Sequence, residues 1–240
     1  MDVTTEQLDV IEFNGVTSSS LGIIVDGYYT KGTPQRRIST VTVPGKNGAV
    51  IEDEGTFENS VQEYTLYWLP SRTTDSAVLN WLRQDGYYDW KHSAMPDYVQ
   101  KARATPSSQI NNYRDCYHEL KVTFSLKPEM YLVSGMETIT LTRSRKFRNP
   151  TPYEAKPKIT VYGNTDSPSK ITVGNQVLVV NLIEEYLVLD CELQEAYKGV
   201  VNKNNTVSGE FPVFPGGAIS EVLFTGGITK VEIQPRWWDL

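Results

Sequence analysis

The sequence predicts a mainly β protein with one helix, divided into two β-rich domains over residues 1–134 and 135–240. Short runs of β-branched and aromatic residues alternate with polar residues, as in strands that are buried on one face. Turn dipeptides such as Asn-Gly and Asp-Gly separate many of these runs. A length of 240 residues suits one large β domain or two small ones. Hydrophobic residues make up 39% of the chain, which is enough to form a packed core.

The first domain contains two strands with especially clear alternation, over residues 61–69 and 117–126. Each places aromatic and leucine residues on one face and polar residues on the other, which predicts that one face covers a core. A turn is predicted at Asp26-Gly27, and residues 104–115 are predicted to form a long polar loop. The other strands predicted in this domain span residues 10–13, 21–25, 38–43 and 87–92.

One segment of the first domain has helical periodicity, and it is predicted to form the single helix near residues 74–85. Thr73 or Thr74 is a suitable N-cap, because a threonine hydroxyl accepts a hydrogen bond from a free amide of the first turn. Apolar residues four positions apart give the segment one buried face. Gly86 is predicted to terminate the helix, since glycine tolerates the left-handed conformation found there.

Two tight turns lie close together between residues 42 and 51. Pro44-Gly45 fits a type II turn, because proline presets φ at the first central position and glycine accepts the positive φ of the second. Asn47-Gly48 predicts a type I′ hairpin turn, which needs positive φ at both central positions. The loop, with Lys46 between the turns, contains no nucleophile, metal-ligand set or phosphate-binding pattern. It is therefore predicted to serve shape and assembly.

The second domain is predicted to be a β-sandwich. The proline-rich stretch over residues 149–157 excludes a helix and disfavours a central strand. Short strands then recur about every 8–12 residues with turn signals between them, which is typical of sandwiches. The predicted strands span residues 139–142, 158–162, 170–173, 176–182, 186–189, 221–224 and 229–233. The predicted turns are Gly163-Asn164, Gly174-Asn175, Glu184-Glu185 and Gly226-Gly227.

The charge balance argues against a nucleic-acid partner bound through its phosphates. The chain has 23 Lys and Arg against 29 Asp and Glu, a formal net charge of −6, without a long run of like charges. No apolar run approaches the roughly 20 residues that a membrane helix needs, so no membrane partner is expected. Residues 1–9 are polar and are predicted to lie loosely or against a neighbour; their lack of a secretory signal predicts synthesis in a cytoplasm.

No residue set predicts catalysis, and the chain is expected not to be an enzyme. His92 and His118 are the only imidazoles, and the sequence contains no nucleophile elbow, phosphate loop, or zinc or calcium spacing. A Cys116–His118 nucleophile pair is conceivable, but same-face neighbours on a strand more often pack together. Cys116 and Cys191 are expected to be free thiols, buried or half-buried, and no cofactor is expected.

The order of elements resembles the distal tail protein family of long-tailed phages that infect Gram-positive bacteria. The stretch Val41–Gly48 is similar to the most recognisable part of that family, a strand that leads into a Pro-Gly and Asn-Gly pair. The order of similar stretches along most of the chain supports the resemblance more than any single motif does. The others are Phe13-Asn14-Gly15, Ser20–Ile23, Asp53–Asn59, Leu79–Leu82, Met95–Arg103, Asn149–Gly163 and Gly209–Gly217.

The resemblance implies a structural hub. The first domain would be a belt of β-strands with one helix, and six copies would form a ring with a galectin-like sandwich on its outside. The ring would join the tail tube protein to the tip or baseplate and dock the tail fibre or lysin hub protein and the receptor-binding proteins. DNA would pass through the lumen without specific binding, and the protein would be located at the virion tail tip. Pro44, Gly45, Lys46, Asn47 and Gly48 would form a ring-contact loop.

Two other functions stay open at this point. A β-sandwich with 14 tyrosines and five tryptophans could bind carbohydrate, and Trp237-Trp238 beside Arg236 is the candidate platform. The same pair could instead pack against a domain edge or a neighbouring subunit. A cell-wall glycosidase would need two carboxylates that meet only in space. The chain leaves no room for inserted sugar-binding modules, so direct recognition of the host wall is not implied.

Overall fold

A computed structural model describes residues 9–26, 29–114 and 116–240 of the chain. The prediction of a loose N-terminal segment falls almost wholly on residues 1–8, and the predicted turn at Asp26-Gly27 falls partly on Gly27. The structure therefore describes Asp9 and Asp26 alone of these two predictions, and the remainder lies outside the described residues.

The chain divides into two compact units between Met130 and Tyr131, a few residues before the predicted boundary at Ser134-Gly135. Each unit has a separate hydrophobic core. Strands account for most of the regular structure in both units. The predicted fold class, mainly β in two β-rich parts, is confirmed.

Ten strands and one helix are described in the first unit. Helix α1 spans Asp75–Leu82, and a 3-10 turn spans Ser19–Leu21. The strands are β1 (Ile11–Phe13), β2 (Val16–Thr17), β3 (Ile24–Asp26), β4 (Arg36–Thr42), β5 (Ala49–Phe57), β6 (Ser60–Trp68), β7 (Tyr88–His92), β8 (Tyr98–Pro106), β9 (Asn111–Tyr113) and β10 (Tyr117–Leu132).

The main sheet of the first unit follows the strand order β2-β1-β7-β8-β10-β6-β3, with β9 also paired to β10. The antiparallel ladder between β6 and β10 runs from His118 opposite Trp68 to Leu126 opposite Ser60. Alternate residues on these two strands are buried, as the sequence alternation predicts. Leu66 and its partner on β10 thus face the core with less than 2% of their surfaces exposed, and the intervening residues form the outer face.

Helix α1 begins where the sequence predicts. Thr74 is the N-cap, and its hydroxyl accepts a hydrogen bond from the amide of Ala77 at 3.3 Å. The helix ends at Leu82, so the prediction that it extends to residue 85 is wrong. The amide of Gln84 donates to the carbonyl of Leu82 at 3.0 Å, and the helical hydrogen-bond pattern is therefore lost before Gly86 is reached.

Half of the predicted polar loop over residues 104–115 is strand. β8 continues to Pro106 and β9 pairs with β10, so residues 107–110 alone join the two strands. Ala104 is buried in the core. The prediction fails because backbone pairing with the long neighbour β10 stabilises strand structure even where the side chains are polar.

The second unit contains the remaining elements. Helix α2 spans Val133–Met136, and a 3-10 turn spans Asn204–Thr206. The strands are β11 (Ile139–Leu141), β12 (Arg145–Arg148), β13 (Lys158–Thr165), β14 (Ser169–Val173), β15 (Gln176–Val180), β16 (Ile183–Asp190), β17 (Glu195–Lys198), β18 (Val201–Asn202), β19 (Val207–Gly209), β20 (Ile219–Thr225), β21 (Ile228–Gln234) and β22 (Trp238–Asp239).

Two sheets enclose the core of the second unit. One follows the order β11-β21-β13-β16-β17-β18 and the other follows β12-β20-β14-β15-β19. Ile159 and Leu189 from the first sheet and Ile171 and Leu178 from the second are fully buried in the same core cluster. The predicted two-sheet sandwich is therefore confirmed.

Two predicted turns of the sandwich are wrong in the same way. Gly163-Asn164 lies inside β13 and Glu184-Glu185 lies inside β16, where Gly163 is paired with Glu185. The ladder between β13 and β21 shifts register at Gly163, and Glu185 has a φ of 71°. Gly163 thus lies at an irregularity of the β13–β21 ladder, while Glu185 has a positive φ within a regular β13–β16 ladder; neither reverses the chain.

Candidate assembly surfaces

Strands β4 and β5 form a hairpin that stands apart from the sheets. Within the described residues the two strands pair with each other and with no other strand. Nearly all of their residues are exposed. An isolated two-stranded hairpin is marginally stable in water, so a hairpin this exposed favours a partner that covers it.

Both faces of the hairpin present β-branched side chains. Val41 lies opposite Val50 on one face, and these residues are 51% and 40% exposed. Ile38 and Ile51 share the other face and are 52% and 67% exposed. A surface hairpin that needed only water around it would carry polar residues on at least one face, so this pattern indicates a contact surface.

The tip of the hairpin is a single loop over residues 43–48. Pro44-Gly45 forms the predicted type II turn, because Gly45 has a φ of 82° and the amide of Lys46 donates to the carbonyl of Val43 at 3.1 Å. The type I′ turn at Asn47-Gly48 is wrong, since Gly48 has a φ of 80° but Asn47 is not among the residues with positive φ. Thr42 pairs with Ala49, and the Pro-Gly turn already reverses the chain between them.

The acidic stretch over residues 52–54 belongs to β5. The register of the hairpin shifts beyond Asp53, and Gly55 has a φ of 71°, so this part of β5 is bulged. The Nε atom of Arg36 lies 2.9 Å from an oxygen of Asp53, and the amide of Gly55 donates to Asp53 at 2.8 Å. Glu52 and Glu54 form no ion pair with any described residue.

A second exposed surface lies on the outer face of the main sheet. We call Ile24, Tyr67, Leu69, Tyr113 and Tyr117 the aromatic patch. The ring of Tyr117 stacks on that of Tyr113 with centroids 4.6 Å apart and meets the ring of Tyr67 edge-on at 5.9 Å. Ile24 is the partner of Tyr67 across the β3–β6 pair.

The aromatic patch is largely open to water. Ile24, Leu69, Tyr113 and Tyr117 are 47%, 42%, 42% and 38% exposed. The hydroxyl of Tyr113 donates to the carboxylate of Glu119 at 3.1 Å, which fixes one end of the stack and raises the pKa of Tyr113. Contiguous exposed apolar and aromatic side chains are typical of protein contact sites.

A cavity of about 740 Å³ opens beside the aromatic patch. Ile24, Tyr67, Leu69 and Tyr117 belong to both features. The rest of its lining comes from Asp9, Val10, Ser19, Gly22, Ile23, Trp68 and Arg72. Arg72 has no ion-pair or hydrogen-bond partner through its side chain in the part of the chain that is described.

His118 has a structural setting. Its Nδ1 atom lies 2.6 Å from Oδ1 of Asp75, which also accepts a hydrogen bond from Nε1 of Trp68 at 3.2 Å. The Nε2 atom of His118 is enclosed and has no hydrogen-bond partner among the described residues. The Asp75–His118 pair thus ties α1 to the sheet. With Nδ1 bound to Asp75 and Nε2 enclosed, neither ring nitrogen of His118 is placed to activate Cys116.

The two thiols differ in exposure. Cys191 is buried, as expected, and burial raises the pKa of its thiol to about 12. Cys116 is exposed, so the expectation that both thiols are buried or half-buried is wrong for this residue. Cys116 precedes the first residue of β10 and therefore lies outside the alternating pattern that buries His118.

The candidate sugar platform does not form in the second unit. Trp237 is buried in the core at 6% exposure, and the ring of Trp238 stacks on that of Tyr153 with centroids 4.4 Å apart. Arg236 makes two hydrogen bonds to Asp190. Trp237 is therefore core and offers no platform, and the guanidinium of Arg236 is engaged with Asp190; Trp238 is half-buried, with one ring face on Tyr153.

The described residues contain no group of three or more His, Cys, Asp or Glu side chains arranged to hold a metal ion. None of the described helices is long and apolar enough to span a membrane.

Fold and surfaces together define a two-unit, mainly β protein with an exposed hairpin and an exposed aromatic patch. No protein-family model matches the chain, and no curated protein sequence matches it. Among solved structures the chain is similar to the Dit protein of phage SPP1, described as a paradigm of the hub adsorption apparatus in phages that infect Gram-positive bacteria. The TM-score is 0.66 at 11% sequence identity, and the match covers 95% of this chain and 98% of the other. The predicted resemblance to distal tail proteins is thus confirmed at the level of the fold.

Proposed function

We propose that the protein is a structural hub of a phage tail tip and that six copies form a ring. The observation that supports this most directly is the fold, which follows that of a phage hub protein over 95% of the chain. The hairpin supports it independently, because its exposed β-branched faces suit contact with another copy. The loop of Pro44, Gly45, Lys46, Asn47 and Gly48 at its tip would be part of that contact.

In this proposal the ring joins the tail tube to the tip or baseplate at the virion tail tip. The first unit forms the ring as a belt domain, and the second, as a galectin-like sandwich, lies on its outside. The tail fibre or lysin hub protein and the receptor-binding proteins dock on the ring. DNA passes through the lumen, where a net charge of −6 per chain disfavours adhesion of its phosphates.

Mass in solution and particle images test the proposal. Six copies of a 27.1 kDa chain weigh about 163 kDa, and we expect that mass by native mass spectrometry together with rings that have a central hole. Concentration should be raised to the solubility limit, since a ring that is nucleated in the tail can be weak when it is isolated. A protein that stays monomeric throughout and binds glycans, or that hydrolyses peptidoglycan, would contradict the proposal.

A matched pair of variants links the ring to the hairpin. Ile51 is 67% exposed on the hairpin and Ile219 is 65% exposed on the second unit, so Ile51→Lys and Ile219→Lys change equally exposed β-branched residues. Ile51→Lys should abolish or strongly weaken the hexamer, because burial of an unpaired ammonium in a contact is costly. Ile219→Lys should leave it intact. Equal hexamer stability in the two variants would remove the hairpin from the ring contact.

A further inference from the structure

The hairpin and the cavity lie at opposite ends of one strand pair. β3 and β6 are antiparallel, with Ile24 opposite Tyr67 and Asp26 opposite Thr65. The chain leaves β3 after Asp26, forms the hairpin, and enters β6 at Ser60. The cavity lies at the other end of the pair, beside Ile24 and Tyr67. β6, which runs from the hairpin side to the cavity side, is about 26 Å long.

This placement suits a head-to-tail contact. A ring of identical subunits is built from two different surfaces of each copy, one that projects and one that receives. The exposed hairpin connects β3 to β6 at one end of this pair, and the cavity is concave at the other. A copy placed in sequence along the ring therefore brings the hairpin of one subunit toward the cavity of the next.

The chemistry of the two surfaces is complementary. Ile38, Ile51 and the Val41–Val50 pair supply compact β-branched side chains, and the aromatic patch supplies flat rings with a leucine and an isoleucine around a concave space. The cavity of about 740 Å³ is open to one side, and its volume is typical of pockets that receive a drug-sized group.

The hairpin and the cavity wall also carry side chains of opposite charge. Glu52 and Glu54 lie on the hairpin and Arg72 lies on the cavity wall, and none of them has an ion-pair partner within the described chain. Contact between the two surfaces would allow a hairpin carboxylate to pair with Arg72 but would place it away from Asp9 on the same wall, and this combination favours one register between subunits.

We propose that the hairpin of one copy docks on the aromatic patch and in the adjoining cavity of the next copy. This inference rests on the proposed ring, and it adds which surface of the neighbour receives the hairpin. The occupant of the cavity is thus a second copy of this chain, through its β-branched hairpin residues.

Cys116 provides a native reporter for this contact. It is exposed and directly precedes Tyr117 of the aromatic patch, whereas Cys191 is buried. In the Ile51→Cys variant, a short bismaleimide should join residue 51 of one chain to Cys116 of the next and give a covalent ladder that ends at six chains. Ile219→Cys is the matched control, and Ile51→Cys combined with Cys116→Ser should give no ladder.

A second pair of variants tests the receiving surface. Leu69 in the aromatic patch is 42% exposed and Leu223 in the second unit is 40% exposed. Leu69→Ser should weaken subunit association by about tenfold or more, because a contact leucine is lost, and Leu223→Ser should have no effect. Thermal unfolding of each variant monomer shows whether the fold is retained.

The outcomes separate the two proposals. A hexamer that shows no 51–116 ladder, and in which Leu69→Ser behaves like Leu223→Ser, would overturn the docking proposal and leave the ring standing. Absence of any hexamer would overturn both. A link between residues 51 and 116 within one chain would overturn the docking proposal. A hexamer that is lost on deletion of residues 1–8 but tolerates Leu69→Ser would assign the cavity to that segment instead.

Discussion

Asp190 and Arg236 form a two-armed salt bridge inside the second unit. Nη1 of Arg236 lies 2.8 Å from Oδ1 of Asp190 and Nη2 lies 2.9 Å from Oδ2, and the two side chains are 15% and 5% exposed. Burial opposes ionisation of Asp190, but the hydrogen bonds and charge of Arg236 outweigh it and lower the pKa of the carboxyl group. The pair joins the end of β16 to the chain after β21, next to the buried Trp237.

Replacing one partner of this pair should be strongly destabilising. Arg236→Leu leaves the Asp190 carboxylate buried without its cation, at a cost of about 3–5 kcal/mol in the free energy of unfolding. Urea unfolding at pH 7 measures the loss. The double variant Asp190→Asn with Arg236→Leu should recover part of it, because no buried charge remains. If the single and double variants were equally stable, the pair would contribute through packing alone.

His92 should make the first unit less stable in mild acid. The ring is 2% exposed and its Nδ1 accepts a hydrogen bond from the amide of Ala94, so burial lowers the pKa of His92, with a smaller opposing effect from Asp9. The unfolded chain then binds the proton more readily than the folded chain below its ordinary pKa of about 6.5. Stability is therefore complete above that pH and falls as the pH decreases through it toward the lower folded pKa.

Urea midpoints at pH 7.5 and 5.5 measure this effect in the wild type and in His92→Gln. Each pKa unit between the folded and unfolded states is equivalent to about 1.4 kcal/mol. His92→Gln should be less stable overall but should lose less stability on acidification. An identical acid loss in both proteins would show that other groups cause it.

Gly48→Val should be more harmful than Lys46→Val in the same loop. Gly48 has a φ of 80°, a conformation that a β-branched residue adopts at a cost of about 1–2 kcal/mol, whereas Lys46 is not among the residues with positive φ. The cost should appear as a weaker hexamer, since the hairpin tip must change shape. Hexamer dissociation on dilution compares the variants, and equal dissociation would mean that the loop lies outside the contact.

Thiol labelling should distinguish the two cysteines. Cys116 is exposed and Cys191 is buried with a raised pKa, so a maleimide should label one thiol per folded chain and two after denaturation. Cys116→Ser should abolish labelling of the folded protein. Rapid labelling of both thiols in the folded protein would contradict the burial of Cys191.

The sequence predicts the elements whose side chains carry a clear period. The alternation along β6 and β10 identifies their buried faces, and Thr74 identifies the start of α1. The end of α1 and the strand character of residues 104–106 are decided by hydrogen bonds to neighbouring elements, which local residue types do not reveal. Gly163 and Glu185 are likewise interpreted as turns, because the residue types that favour turns also occur at ladder irregularities and at positive φ within strands.

The candidate surfaces are predictable in part. The Pro-Gly turn and the β-branched strands around it indicate the hairpin, but its isolation from the sheets becomes visible only in three dimensions. The aromatic patch is missed because Tyr67 and Tyr117 lie on strand faces otherwise interpreted as polar. Their signal is tyrosine at alternating positions on the outer face of two paired strands, which becomes meaningful only when the register places Tyr67 near Tyr117.

Gly163 is fixed by backbone and not by side-chain packing. A Cβ at Gly163 would overlap the backbone carbonyl of Gly227, and no rearrangement of side chains can relieve an overlap with backbone. Apolar core residues such as Ile159 can exchange with others of similar volume at a small cost in stability. In a saturation library selected for folding, position 163 should therefore retain glycine almost alone, while position 159 should accept several aliphatic residues.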